Sequence, residues 1–140
     1  MLKTLTLPLD KVLFKPPPLH TVLYLSGLPQ SGIQILDKSP YGNHGTITGA
    51  TWARLPSGLW VLSFDGTDDY VTITDAPSLS ALSPITVELW LKSNDTPVAE
   101  AGIISKGVAV ATREWNLLMD TSGRLGFVQW GGVTNYLLAI

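Results

Sequence analysis

Short apolar segments, rich in β-branched and aromatic residues, alternate with turn-forming residues along most of the chain. Eight such segments occupy residues 21–25, 45–52, 59–64, 69–74, 85–92, 102–107, 115–120 and 124–130. Clusters of Gly, Pro, Asp, Asn or Ser separate them, and no segment shows the period of an amphipathic helix. The pattern predicts an all-β protein that folds as an antiparallel β-sandwich or jelly roll.

The alternation of apolar and polar residues is clearest in residues 85–92. In a strand, successive side chains point to opposite faces, so the odd-numbered residues Ile85, Val87, Leu89 and Leu91 are predicted to face the core. The even-numbered residues, including Trp90, are predicted to face outward. Further along, residues 115–130 predict a hairpin around Gly123, which suits a left-handed backbone position.

The first 18 residues differ from the rest of the chain. Leucines alternate within them, but Pro8 cannot donate a ladder hydrogen bond, which restricts this stretch to an edge or isolated strand. The alternating residues are Leu5, Leu7 and Leu9. A proline run that consists of Pro16, Pro17 and Pro18 then favours an extended spacer. We therefore predict an arm over residues 1–18 and a single domain over residues 19–140.

Composition narrows the classes of function. The chain has 140 residues, which is enough for one domain with a hydrophobic core. Only 14% of the residues are charged and the net charge is -2, so nucleic-acid binding is not expected. The apolar runs are too short for membrane insertion, and the absence of cysteine excludes disulfides and thiol catalysis. The N-terminus does not have the pattern of a signal peptide, so export would need another route or a longer precursor.

Three motifs occur in order along the chain: Asp-x-Ser-x-x-Gly-Asn-x-Gly-Thr at 37–46, Phe-Asp-Gly-x-x-Asp-Tyr-Val at 64–71, and a Trp-bearing segment at 85–92. Together they resemble the laminin-G-like, concanavalin A-like lectin/glucanase superfamily, in its LamG-like jelly-roll form. The resemblance extends over about residues 20–140 and implies a carbohydrate- or protein-binding adhesion module. Such domains continue into further strands that this chain lacks, and we therefore expect an incomplete sandwich with an open sheet edge.

The Tyr-Gly-Asn-His-Gly stretch at 41–45 contains a candidate ligand, His44. Glycines at 42 and 45 permit unusual backbone angles, and asparagine tolerates the left-handed region, so the stretch is well suited to a rigid loop. Apart from His20 the chain has no second histidine, and no metal-ligand spacing surrounds His44. A structural turn is favoured over a ligand role.

Asp65, Asp68 and Asp69 lie within five positions, and oxygen-rich loops of this kind can hold Ca²⁺. The spacing is not that of an EF-hand loop, and Asp-Gly is a strong hairpin signal. A tight turn between residues 59–64 and 69–74 is therefore favoured. Calcium is the alternative, because some laminin-G-like domains bind it.

Trp90, Trp115 and Trp130 are the candidate ligand-binding aromatics, since an exposed indole offers a flat apolar face to a sugar ring. In sandwiches such residues more often lie in the core or beneath a covering segment, and this is the favoured interpretation for Trp90. Glycosidases of this fold carry clustered acids on one strand, whereas Glu88 stands alone. We therefore predict no enzymatic activity and no catalytic residues.

Two functions remain, both outside or on the surface of a cell or virion. The first is a non-catalytic lectin-like module that recognises carbohydrate or protein. The second is a structural protein of a virion or filament that uses the jelly roll for subunit packing. In either case we expect the arm to add a strand, through residues 5–9, to an open sheet edge of a neighbouring subunit. Return of the arm to its own domain is the alternative.

Overall fold

A computed structural model describes residues 20–27, 29, 32–80, 84–107 and 114–129. These residues form two compact units, one within Met1–Ile85 and one within Thr86–Ile140. The strands are β1 (Gln34–Ile35), β2 (Gly45–Thr48), β3 (Thr51–Arg54), β4 (Trp60–Ser63), β5 (Tyr70–Ile73), β6 (Ala101–Lys106), β7 (Trp115–Met119) and β8 (Leu125–Gln129). All strand pairs are antiparallel, and the one helical element in the described ranges is a 3₁₀ helix, Pro77–Leu79. The predicted all-β, antiparallel class is confirmed.

The first unit contains a three-stranded sheet in the order β1-β2-β5. Thr46 lies opposite Thr72 in the register of β2 with β5. Burial alternates along β2, with Gly45 and Ile47 buried and the two threonines exposed. Ile35 on β1 is also buried, and it joins Ile47 in the small apolar core of this unit. The sheet therefore has one buried apolar face and one exposed face rich in threonine, as the period of two requires.

The single strand predicted over residues 45–52 is divided into β2 and β3. Gly49 interrupts it with a φ of 75°, and Asp69 explains why glycine is needed, since a Cβ at position 49 would overlap the Asp69 carboxylate. β3 then pairs with β4 as a separate hairpin. At the end of that hairpin the Arg54 guanidinium lies 5.9 Å from the centroid of the Trp60 ring, within cation–π range.

A tight turn lies between residues 59–64 and 69–74, as predicted, but it does not join two strands of one hairpin. β4 pairs with β3, and β5 pairs with β2, so the Asp-Gly turn joins strands of two different sheets. The turn itself forms, with Gly66 at a φ of 81°. The Asp-Gly signal reports local backbone geometry only: β4 pairs with β3 across the turn of residues 55–59, and β5 pairs with β2, more than 20 residues earlier in the chain.

The second unit contains a three-stranded sheet in the order β6-β7-β8. The predicted hairpin of β7 and β8 is confirmed, with Gly123 in its turn at a φ of 77°. The Asp120 carboxylate accepts hydrogen bonds from the backbone N–H groups of Ser122 and Arg124, both at 2.9 Å, and from Arg124 Nε at 2.6 Å. These bonds, the backbone bond from Arg124 first, hold the pKa of Asp120 below its ordinary value despite partial desolvation.

Two predicted strands do not form ladders. Residues 21–25 contribute one isolated bridge, between Leu25 and Asp37. Residues 85–92 have no strand partner among the described residues. The prediction that Leu89 and Leu91 face the core is wrong, since 44% and 48% of their surface is exposed. The pattern of alternation is present, but no described strand lies beside the segment to complete a core.

The arm predicted over residues 1–18 lies outside the described residues, and so does Trp130. Within the described part of the chain, no helix is long and apolar enough to cross a membrane.

Candidate functional site

Asp37 is the centre of a polar network in the first unit. Its side chain is buried, with 5% of the residue exposed. Oδ1 accepts the backbone N–H groups of Tyr24 at 2.7 Å and Ser39 at 2.8 Å. Oδ2 accepts the Ser39 hydroxyl at 2.6 Å and the Asn43 N–H at 2.7 Å. Each carboxylate oxygen thus accepts two hydrogen bonds from the protein itself. We therefore infer a structural role for Asp37.

Burial alone would raise the pKa of Asp37, but the hydrogen bonds from Ser39, Tyr24 and Asn43 outweigh it and hold the pKa below its ordinary value. Asn43 extends the network, because its amide nitrogen donates to the Val22 carbonyl at 2.8 Å and to Ser78 Oγ at 3.0 Å. The Asp-x-Ser-x-x-Gly-Asn motif therefore ties three distant segments of the first unit together.

His44 and the glycines beside it complete this loop. Gly42 has a φ of 66°, in the left-handed region, whereas Gly45 does not use the backbone freedom of glycine. Gly45 is required for space instead, since a Cβ there would lie 2.6 Å from Val71 Cγ1 and 2.7 Å from Ile35 Cγ2. The His44 side chain is exposed, and its Nδ1 accepts the Asp37 N–H at 3.1 Å. This arrangement agrees with a structural turn.

Asp65, Asp68 and Asp69 each bring a carboxylate oxygen within 4.8 Å of the others. Calcium binds oxygen ligands at about 2.4 Å, so the spacing is compatible with a shared ion to which water would add ligands. The same carboxylates also build the turn: Asp69 Oδ2 accepts the Asp65 N–H at 2.8 Å, and Asp65 Oδ1 accepts the Thr67 N–H at 2.8 Å. The backbone N–H groups of Asp65 and Thr67 therefore stabilise these carboxylates in part, as a bound cation would.

We expect this loop to act as a turn without a bound ion. Addition of ~10 mM CaCl₂ should leave the melting temperature unchanged, whereas an ion bound with a Kd of ~1 mM would stabilise the protein by ~1.4 kcal/mol. Thermal melts in CaCl₂ and in MgCl₂ of equal ionic strength provide the measurement. A calcium-specific rise that Asp68→Asn removes would establish a metal site instead.

Among the described residues of the second unit, Trp90 and Val98 are the most exposed large apolar residues. Exposure is 104% for Trp90 and 102% for Val98, against 44% for Leu89 and 48% for Leu91. Thr86, Glu88 and Lys92 are exposed as well, and the period of two of an extended segment would place them on the side of Trp90. No described segment covers the indole. We call the surface formed by Thr86, Glu88, Trp90 and Lys92 the Trp90 face.

Trp115 has a different environment from Trp90. It is half-buried on β7, and its ring stacks on that of Phe127 with centroids 5.9 Å apart and an interplanar angle of 20°. Its Nε1 is buried without a hydrogen-bond partner in the described structure. Trp115 therefore packs within its sheet, and among the described candidates Trp90 alone offers a fully exposed ring.

Sequence reasoning named Trp90 but did not include its polar neighbours in the site. The signal that identifies them is the same period of two, because residues 86, 88 and 92 share the face of residue 90. Sequence reasoning also missed the hydrogen bond between Asn43 and Ser78, which lie 35 residues apart. No local pattern in the sequence reports a contact of that separation.

An all-β, antiparallel chain with an exposed tryptophan on a polar face fits the class of lectin-like binding domains. A laminin G family model, described as the concanavalin A-like lectin/glucanases superfamily, matches residues 65–139. The match covers more than half of the 140 residues, and the chain belongs to this superfamily. The predicted family and the concanavalin A-like fold class are thereby confirmed. No curated protein and no solved structure matches the chain.

The matched range includes Trp90 and the Asp65–Asp69 turn, whereas the motif around Asp37 precedes it. Laminin G-like domains are generally non-catalytic binding modules, and they are typically extracellular.

Proposed function

We propose that the protein is a non-catalytic, lectin-like binding module of an extracellular or surface assembly, and that it binds carbohydrate through the Trp90 face. The observation that carries the proposal is the complete exposure of the Trp90 indole. Apolar area left in water is unfavourable, and a ligand that covers the ring recovers that free energy. Membership of a lectin-containing superfamily supports the same class of function.

The neighbours of Trp90 favour a sugar over a protein as the ligand. An indole contacts the C–H face of a sugar ring, while the ring hydroxyls need hydrogen-bonding groups at its rim. Glu88 can accept from such hydroxyls, and Lys92 can donate to them. Both side chains are exposed on the Trp90 face. The core of a protein interface is more apolar and depleted of charge, which fits this face less well.

We expect Trp90→Ala to lower the affinity for a bound glycan about tenfold or more, a loss of at least ~1.4 kcal/mol, with no change in melting temperature. A glycan array identifies the sugar, and calorimetric titration gives the two affinities. Tyr41→Ala is the matched control, because this aromatic residue is 55% exposed in the other unit and should leave binding intact. Unchanged binding in Trp90→Ala, or an array without any bound glycan, would contradict the proposal.

The proposal includes the absence of catalysis. Glycoside hydrolysis needs two carboxyl groups that flank one bond, about 5 to 9.5 Å apart, and the strand pattern gives Glu88 no second acid on its segment. We expect no release of reducing sugar from β-glucans or from glycans that the array identifies. Turnover that disappears in Glu88→Gln would identify a hydrolase.

A structural role in a virion or filament is the second candidate, and one observation favours it. The sequence of residues 86–92 alternates as that of a strand does, and no described strand pairs with them. Strand-forming segments with an open edge recruit other chains. A native mass measurement separates the two candidates: a monomer that binds sugar supports the lectin, and a large assembly indifferent to sugars supports the structural role.

A further inference from the structure

The exposed face of the β1-β2-β5 sheet is polar but uncharged. The register places Thr46 between Gln34 of β1 and Thr72 of β5, and it places Thr48 opposite Tyr70. Directly paired residues point to the same side of a sheet, so these side chains share one face. All of them are exposed, and Tyr70 has 53% of its surface in water. We call the surface formed by Gln34, Thr46, Thr48, Tyr70 and Thr72 the neutral face.

The sheet holds the neutral face in one geometry. Ile35 and Ile47 are buried on the opposite side of the sheet and anchor β1 and β2. Neighbouring strands lie about 4.8 Å apart, so the row from Gln34 to Thr72 is about 10 Å wide. Threonine is stiff about χ1 and tyrosine has few side-chain torsions, so ordering these side chains on a ligand costs little entropy. The neutral face is therefore preorganised for a ligand of that width.

We propose that the neutral face is a second carbohydrate-binding surface, and that its ligand is a chain of uncharged sugars. The basis is an exposed tyrosine ring surrounded by hydroxyl and amide groups, with no charged residue on the face. The inference rests on the proposed function only in the class of ligand. The neutral face and the Trp90 face share no residue and lie in different units, so either can bind sugar without the other.

An uncharged sugar presents the two kinds of surface that the neutral face can contact. The C–H side of a sugar ring packs on an aromatic ring, which Tyr70 supplies. A sugar hydroxyl both donates and accepts hydrogen bonds, and so does each threonine hydroxyl. The Gln34 amide adds a carbonyl acceptor and an NH₂ donor at the edge of the row. Ring and hydroxyls of one sugar can therefore be satisfied together.

The lack of charge on the neutral face decides between ligand classes. Acidic polysaccharides and nucleic acids are recognised through lysine and arginine, and the neutral face contains neither. The core of a protein interface is apolar, whereas the apolar residues Ile35 and Ile47 of this sheet are buried on its other side. Uncharged carbohydrate is the class whose chemical groups match the face.

Binding of neutral oligosaccharides to the full chain that carries Trp90→Ala tests the inference, because this variant lacks the indole of the first proposed site. The probes are cello-, laminari- and manno-oligosaccharides, titrated by calorimetry. We expect at least one probe to bind. Addition of Tyr70→Ala should weaken this binding about tenfold or more, and addition of Thr46→Val should weaken it about threefold through loss of one hydrogen bond. Valine keeps the β-branched shape, so the strand is retained.

Thr51→Val is the matched control, since Thr51 is exposed on β3, outside the neutral face. It should leave the affinity unchanged. The inference is overturned if no probe binds to the Trp90→Ala protein, or if Thr46→Val and Thr51→Val have the same effect. The Thr46→Val result decides even where Tyr70→Ala lowers the melting temperature. A wild-type protein that binds a probe only through Trp90 leaves the lectin proposal standing, whereas binding that depends on Tyr70 and not on Trp90 refutes the Trp90 face alone.

Discussion

Asp37→Ala is expected to destabilise the first unit by about 3 to 5 kcal/mol, because it removes one acceptor from four donors. Three of those donors are backbone N–H groups, of Tyr24, Ser39 and Asn43, and the site is 5% exposed. Water has little access to replace the carboxylate, so the donors would stay unsatisfied. Chemical denaturation of the two proteins gives the free energies of unfolding.

Ser39→Ala is the control for this substitution. It removes the hydroxyl donor at 2.6 Å but leaves the three backbone donors with their acceptor. The expected loss is only about 1 kcal/mol. Similar destabilisation by both variants would mean that the hydroxyl, rather than the carboxylate, organises the loop.

The same network makes stability depend on pH. The folded-state pKa of Asp37 lies below its ordinary value of 3.8, so the unfolded chain binds the proton more readily. The contribution of Asp37 to the free energy of unfolding is therefore fully present when the pH is above that ordinary value. It is lost as the pH falls through the lower folded-state pKa. The loss on acidification should be smaller in Asp37→Asn, and denaturation series between pH 7 and the acid range measure both slopes.

Gly45→Val is expected to destabilise the protein by about 2 to 3 kcal/mol through overpacking. Position 45 lies on β2, the central strand of its sheet, with side chains of Ile35 and Val71 on either side. A Cβ would lie 2.6 Å from the Val71 methyl carbon, so the strands must separate or the side chains must leave their rotamers. A shift in the denaturant midpoint without a change in slope provides the measurement.

His44→Ala, one residue away, is the control for Gly45→Val. His44 is exposed, and water can replace the hydrogen bond that its Nδ1 accepts from the Asp37 N–H. We expect a loss of less than about 1 kcal/mol. If Gly45→Val were as mild as His44→Ala, the close approach of Ile35 and Val71 would not be what requires glycine.

The sequence alone predicts the local features of this fold well. Most of the predicted strands form, and the turn with Gly123 appears where the pattern indicates it, because turn chemistry is decided by neighbouring residues. The pairing of β5 with β2 could not be predicted in this way. These strands lie more than 20 residues apart in the chain, and period-two segments of equal length are interchangeable as partners.

Some features of the candidate site could likewise be predicted from the sequence, and others could not. The exposure of Trp90 agrees with the alternation along residues 85–92, whereas the exposure of Leu89 and Leu91 does not. The stacking of Trp115 on Phe127 could not be predicted from the same kind of pattern, because it depends on the diagonal contact of two paired strands. The role of Asp37 was also hidden, since its donors lie up to 13 residues away and an aspartate in a turn motif is ordinarily exposed.

The hairpin of β7 and β8 has a consequence for the order of folding. Its turn closes through contacts four residues apart, between Asp120 and Arg124, and isolated hairpins form within about 1 to 10 μs. The first unit must instead bring Asn43 to Ser78, 35 residues away, before its network can form. Because closure of long loops precedes the energy gained from them, we expect the hairpin to form before the network around Asn43.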